Sequence, residues 1–211
     1  MSTAKEEILK RIRTAQKQAG LSDHVEAPRE YDTEGTLNAD ELRDMLVERL
    51  EDYKAEVHVT TEAELAETIS QIFTNKECSK VTYAQGMDAA LIDAITSNAT
   101  FTPDDPTSDP RELDTVDAVL TESHVTSAQT GTIVLEAGPL CGRRALTLVP
   151  DRHVCIVRKD QIVYGVPEMV SRINPDFPAT WISGPSATSD IELSRVEGVH
   201  GPRDLIVVIV K

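Results

Sequence analysis

The chain has 211 residues, of which 40% are hydrophobic and 27% are charged, and this is enough for one well-packed core. Its net charge of −15 disfavours binding to a nucleic-acid backbone, which requires a basic face. No apolar run is long enough to span a bilayer, and the first twenty residues lack the continuous apolar segment of a signal peptide. We therefore expect a cytoplasmic protein without a membrane span.

The N-terminal region has the pattern of a helix followed by a linker. Apolar residues Ile8, Ile12 and Ala15 recur at helical spacing over residues 4–18, and turn-forming residues dominate 20–36. Residues 1–37 are thus predicted to form a helix and linker, and 38–211 an α/β domain. The domain should open with a helix through Tyr53, which Asn38 would cap.

Beyond residue 56, strand and helix patterns alternate, and this favours a parallel or mixed sheet covered by helices. Strands are predicted at 56–59, 81–84, 116–120, 133–135, 146–149, 154–157, 162–164, 180–182 and 205–210. Helices are predicted at 61–73, where Thr61 and Glu64 would form a capping box, and at 87–95 and 167–173. A loop is predicted at 102–110 because of its three prolines, a polar connection at 121–131, and a hairpin at 158–161. The predicted fold is α/β, with a mixed, largely parallel sheet and helices on both faces.

Several polar loops between the later strands are candidates for binding an anion. Glycine allows close approach of a backbone to a ligand, and Ser and Thr supply hydroxyls. The segment that begins at Ser183 follows a strand and is predicted to open a short helix; the alternative is a Ser/Thr-rich turn that only caps it. Candidate ligand-binding residues are Thr130, Gly131, Thr132, Arg144, Ser183, Gly184, Ser186, Thr188, Asp190, Gly198 and Gly201.

Two candidate acid–base residues, Glu197 and His200, lie in a glycine-flanked loop before the last strand. The alternative is that His200 only holds that loop together. The region 140–211 has nine Lys/Arg and eight Asp/Glu, so most of the negative charge lies before it. An anionic ligand is therefore compatible with the loop region.

The cysteines and histidines do not predict a metal site in this chain. Cys78, Cys141 and Cys155 are isolated, and no histidine pair has metal-binding spacing. Cys155 lies in an apolar run and is predicted to be a core residue, whereas the arginines that follow Cys141 could lower its pKa. These patterns do not identify a cofactor.

The order of four segments, 130–136, 143–151, 181–192 and 198–202, resembles the lactate-utilisation protein C family of LUD-domain proteins. The resemblance covers about residues 55–211. It implies a fold like that of the isomerase and CoA-transferase group, in which ligands bind at the carboxyl ends of strands. It also implies a role in bacterial oxidation of L-lactate to pyruvate, with separate iron–sulfur subunits as partners and a small organic acid or nucleotide-like molecule as ligand.

The residue patterns are also compatible with two other functions. One is an independent enzyme that acts on a phosphate- or CoA-bearing metabolite, with Glu197 or His200 as the acid–base group. The other is a non-catalytic adaptor whose N-terminal helix contacts the partner. Fold alone does not decide among them.

Overall fold

The computed structural model describes residues 3–21, 26–33, 35–188, 196–198 and 200–211, with Thr188, Val196 and Glu197 described by their backbone. In these residues the α-helices are α1 (Ala4–Gln18), α2 (Ala39–Asp52), α3 (Leu65–Asn75), α4 (Ala89–Ala94) and α5 (Val166–Ser171). The strands are β1 (Glu56–Thr60), β2 (Lys80–Tyr83), β3 (Thr100–Pro103), β4 (Ala118–Glu122), β5 (Val125–Ser127), β6 (Thr132–Glu136), β7 (Arg152–Arg158), β8 (Ile162–Val163), β9 (Ala179–Ile182), β10 (Ala187–Thr188), β11 (Val196–Glu197) and β12 (Asp204–Val210).

The chain divides into two compact units, residues 1–32 and residues 33–211. The first unit contains α1, which begins with a capping box between Thr3 and Glu6. The second unit opens with α2, where the Asn38 side chain accepts the backbone N–H groups of Asp40 and Glu41. The Glu41 carboxylate in turn accepts the Asn38 N–H at 2.8 Å, so the predicted cap of this helix is confirmed.

A six-stranded sheet with the order β1-β12-β7-β4-β2-β3 forms the centre of the second unit, and every neighbouring pair is parallel. The strand β12 has buried apolar residues along its length because both faces of this sheet are covered. Ile206 and Val208 belong to one core, and Leu205 and Val207 belong to the core on the opposite face. The predicted α/β fold is confirmed.

Helices pack on each face of the sheet. On one face, α3 contributes Leu65, Ile69 and Phe73, at the spacing of a single buried stripe. On the other face, α2 contributes Leu46 and Leu50. This second face is shared with a smaller sheet that the sequence patterns did not predict.

The smaller sheet has four strands in the order β8-β5-β6-β9, and it mixes parallel and antiparallel pairs. Its strand β5 lies within 121–131, which was predicted to be a polar connection; Val125, Thr126 and Ser127 are all buried. The hairpin predicted at 158–161 is wrong, because β7 and β8 belong to different sheets. A 3₁₀ helix (Lys159–Gln161) connects them.

Three further local predictions are corrected. Residues 146–149 form turns, in which the N–H groups of Leu146 and Val149 bond to carbonyls three or four residues earlier. The predicted loop at 102–110 overlaps β3, an edge strand that tolerates Pro103 because it is paired on one side only. The capping box predicted at Thr61 is wrong, since its hydroxyl donates to the Glu64 carboxylate instead.

Candidate ligand site

A cavity of about 330 Å³ brings together six of the predicted site residues. It lies at the amino ends of two neighbouring strands of the large sheet, where His153 of β7 and Leu205 of β12 contribute to its lining. This differs from the expected position at the carboxyl ends of the sheet. The lining residues are Arg144, Thr147, Leu148, His153, Thr180, Trp181, Ile182, Ser183, Gly184, Pro185, Ser186, Ala187, His200, Gly201, Pro202 and Leu205.

The segment around Thr130 is connected to this cavity through hydrogen-bonded hydroxyls and does not itself line it. Because β6 and β9 are antiparallel, the start of β6 lies beside the end of β9. The Thr132 and Ser183 hydroxyl oxygens are 2.9 Å apart, and those of Thr130 and Thr132 are 2.8 Å apart. The Thr130 hydroxyl also donates to Ser127 at 2.9 Å. Thr130 and Thr132 therefore orient the hydroxyl of Ser183 at the edge of the cavity.

Ser186 joins the two loops that the sequence patterns singled out. Its N–H donates to the carbonyl of Pro202, and its hydroxyl oxygen accepts the backbone N–H of His200 at 3.1 Å. The N–H of Gly198 donates to the Ser186 carbonyl, and β10 pairs with β11 beside these contacts. No helix begins within 183–188, so that prediction is wrong for the described part of the segment.

Two of the predicted glycines pack against the C-terminal end of α2, at Arg49 and at Tyr53, the residue that follows the helix. Gly184 has a φ of +82°, and a Cβ atom there would lie 2.6 Å from the Cβ of Tyr53. Gly131 has a φ of +60°, and its Cβ atom would lie 3.0 Å from that of Arg49. Glycine is required at both positions by backbone conformation and by close packing on α2, whatever ligand is bound.

Two adjacent arginines have opposite environments. The Arg143 guanidinium makes a bidentate ion pair with the buried Asp104, at 2.9 and 3.1 Å, and also donates to Ser108. The exposed Arg144 lines the cavity, and its guanidinium has no hydrogen bond or ion pair with any residue in the described part of the chain. Arg144 is thus the cationic group of the cavity that is available to an anion.

His153 lies in the cavity lining, although it was not among the predicted site residues. It is 1% exposed, and its Nε2 lies 2.7 Å from the Thr121 hydroxyl. Burial lowers the pKa of His153 to about 4, so the imidazole is neutral at physiological pH. Asp151, two residues earlier, pairs with Arg203 at 2.6 Å. The sequence pattern that could have identified His153 as a site residue is a histidine within an apolar strand.

The remaining predicted residues are placed as follows. His200 and Gly201 line the cavity, and Gly198 lies in the same loop. Thr188 is placed by its backbone in β10. Asp190 lies outside the described residues, and so does the side chain of Glu197. Among the described residues no group of three or more His, Cys, Asp or Glu side chains could hold a metal ion, and no helix is long and apolar enough to cross a membrane.

A larger cavity, of about 490 Å³, lies at the carboxyl ends of β2 and β3. Its wall includes Gly86, Pro139 and the Arg143–Asp104 ion pair. The Arg143 donors are occupied by Asp104, Ser108 and the carbonyl of Pro106, so this cavity has no guanidinium available to an anion. The smaller cavity is therefore the better candidate for an anionic ligand.

The three cysteines are buried thiols, and we predict that none reacts rapidly in the folded protein. Burial raises the pKa of Cys141 to about 12, and burial also raises the pKa values of Cys78 and Cys155. Titration with a thiol reagent should detect all three only after denaturation. Rapid labelling of any one in native buffer would contradict this prediction.

Comparison with known proteins gives consistent matches over the second unit. The family model of the LUD domain matches residues 43–210, which include every residue that lines the smaller cavity. Lactate utilization protein C of Deinococcus radiodurans is 41% identical over 184 residues, covering 85% of this chain and 84% of that protein. Lactate utilization protein C 1 of Bacillus mycoides is 30% identical over 190 residues, covering 82% and 81%. The crystal structure of a DUF162 family protein from D. radiodurans matches with a TM-score of 0.69 and 34% identity, covering 83% of this chain and 99% of that one.

Proposed function

Because the chain belongs to the LUD-domain family, we propose that it is a cytoplasmic component of lactate utilisation that binds a small organic acid in the cavity lined by Arg144. In this proposal it takes part in the oxidation of L-lactate to pyruvate, together with separate iron–sulfur subunits. The names of its relatives support the pathway, and the unpaired state of the Arg144 guanidinium among the described residues supports the ligand class.

The cavity is chemically suited to a small carboxylate. A guanidinium binds a carboxylate through charge-assisted hydrogen bonds, and Arg144 does not have to leave a described partner to do so. The hydroxyls of Ser183 and Ser186 lie in the same lining and can add polar contacts. The volume of about 330 Å³ is at the lower end of the range for small-molecule sites, which favours a compact ligand.

A growth experiment tests this function. The gene is deleted in a strain that lacks any other lactate dehydrogenase, and the strain is then complemented with the natural gene or with a variant. We expect the deletion to abolish growth on L-lactate and the natural gene to restore it. Arg144→Met should fail to restore growth, because the cavity loses the guanidinium that has no partner among the described residues. Unchanged growth of the deletion strain on lactate would refute the proposed role.

Arg111→Met is the matched control for that experiment. Arg111 is also exposed, with 92% of its side chain accessible, and it does not line the cavity. The substitution removes the same charge from the surface, so it should restore growth as the natural gene does. Equal failure of both variants would assign the effect to net charge instead of the cavity.

Ligand and partners are tested on the purified protein. A ligand that binds only the folded state raises its melting temperature, so lactate, pyruvate, ATP and CoA can be compared directly. A shift with ATP or CoA alone would favour an independent enzyme acting on a nucleotide-bearing metabolite. Affinity purification from cells grown on lactate should recover the iron–sulfur subunits; their absence would remove that part of the proposal.

A further inference from the structure

The six-stranded sheet ends in two edge strands, β3 and β1, and only the outer edge of β3 is blocked by a proline. The N–H of Thr100 donates to the Ser79 carbonyl, so the even-numbered residues of β3 bond to β2. The odd-numbered residues of β3 therefore face away from the sheet, and one of them, Pro103, has no N–H to donate. This edge is thus protected against pairing with a further strand.

The outer edge of β1 has no such protection. The Lys211 N–H donates to the Thr60 carbonyl, so the even-numbered residues of β1 bond to β12. The N–H and C=O groups of Val57 and Val59 consequently point away from the sheet. These four groups have no hydrogen-bond partner in the part of the chain that the structure describes. Val59 is also 44% exposed, so both polar and apolar groups are available to a partner strand.

A second copy of β1 that runs antiparallel to the first can pair all of these backbone groups. With His58 opposite His58 on a two-fold axis, Val57 of each copy lies opposite Val59 of the other, and the two copies exchange four hydrogen bonds. A shift of the axis by one residue in either direction would place Ala55 or Thr61 opposite a valine. Both of those residues already use a backbone group within their own chain. The register about His58 is therefore the one that satisfies the whole edge.

The side chains of the two valines are complementary in the same register. Val57 packs against the core that includes α2, and Val59 lies on the same face because the side chains of a strand alternate. Across the antiparallel pair, Val57 of one copy contacts Val59 of the other, once on each side of the axis. The exposed part of Val59 is thereby removed from water.

The charges that flank β1 favour a second copy of this chain as the partner strand. Lys54 precedes the strand and Glu62 follows it, so pairing about His58 brings Lys54 of each copy beside Glu62 of the other. Lys54 is exposed and forms no ion pair with a described residue. The Glu62 side chain is 68% exposed and pairs with Arg158 of its own chain. Two ion pairs of opposite charge thus form symmetrically at the ends of the interface.

We propose that the outer edge of β1 is an interface between two copies of this chain. The copies pair antiparallel about His58, and their two six-stranded sheets form one continuous sheet. No residue of β1 lines the ligand cavity, so this interface does not depend on the proposed function.

Sedimentation equilibrium of the full chain at increasing concentrations tests the interface. We expect the mass to rise from 23.1 kDa toward twice that value. Val59→Lys should weaken association by at least about tenfold, because a charge at the edge would then lie against a valine of the other copy. Val170→Lys is the matched control, since this valine of α5 is 49% exposed and does not belong to the edge; its association should equal that of the natural chain.

Two outcomes of this experiment would overturn the proposal. One is a natural chain that stays monomeric at every concentration. The other is an equal effect of the two valine variants, whether both dissociate or both remain dimeric.

A charge reversal tests the register and uses only exposed residues, so it does not require the Val59 variant to fold. Lys54→Glu replaces both attractive pairs with repulsive ones and should raise the dissociation constant about tenfold. Addition of Glu62→Lys restores opposite charges and should recover most of the affinity, while Arg158 keeps its ion pair with Glu122. A dimer that Lys54→Glu does not weaken, or that the double substitution does not restore, would overturn the proposed pairing about His58.

Discussion

Replacement of Arg143 by methionine should lower the free energy of unfolding by about 3–5 kcal/mol, because it leaves a buried carboxylate without its partner. The Asp104 side chain is only 4% exposed, and both of its oxygens accept hydrogen bonds from Arg143. The same guanidinium donates to the carbonyl of Ser108 at 2.8 Å and so holds residues 104–108 against the turn at 141–149. Urea denaturation of the variant and the natural protein measures the difference.

The neighbouring arginine provides the control. Arg144→Met makes the same chemical change one residue later, at an exposed side chain without a described partner, so stability should change by about 0.5 kcal/mol or less. Adding Asp104→Asn to the Arg143 variant should recover part of the loss, since no uncompensated charge then remains buried. Equal losses from the two single arginine variants would show that the ion pair does not stabilise the fold.

Because of His153, the free energy of unfolding in mild acid should be up to about 3 kcal/mol lower than at neutral pH. Its pKa in the folded state is lowered to about 4, whereas an unfolded histidine has a pKa near 6.5. Between these values the unfolded chain binds a proton that the folded chain cannot, so protonation favours unfolding. The stabilising contribution is therefore complete above about pH 6.5 and is lost as the pH falls toward 4. Urea denaturation at pH 7.5, 6, 5 and 4.5 measures it.

The comparison with His153→Phe isolates this residue, because other groups also titrate in acid. Hydrogen bonds from backbone N–H groups lower the pKa of Asp117, and hydrogen bonds from Arg203 lower that of Asp151. Protonation of these two carboxylates therefore also lowers the free energy of unfolding as the pH falls. Both proteins share that loss, and only the natural protein should have the additional histidine contribution. Parallel stability curves for the two proteins below pH 6.5 would contradict a buried, neutral His153.

Local sequence patterns predicted most of the central six-stranded sheet, because they indicate which side chains are buried. The apolar runs at 154–157 and 205–210 are the centres of β7 and β12, whose side chains are buried on both faces. Helix α2 was found through its cap, which depends on residues only three positions apart. The errors occurred where that local signal is ambiguous: the apolar residues of 146–149 form turns, and the polar residues of β5 are buried in a sheet.

The sequence by itself determined the family, the α/β class and the loops that hold most of the candidate site residues, because these depend on residue types in a fixed order. Only the tertiary structure decided which of these residues share a cavity. The antiparallel pairing of β6 and β9 places Thr132 beside Ser183, 51 positions away in the chain. Likewise, pairing with Asp104 occupies Arg143 and leaves the identical next residue, Arg144, to face the cavity. Such choices depend on contacts between residues far apart in sequence, which the order of residue types does not specify.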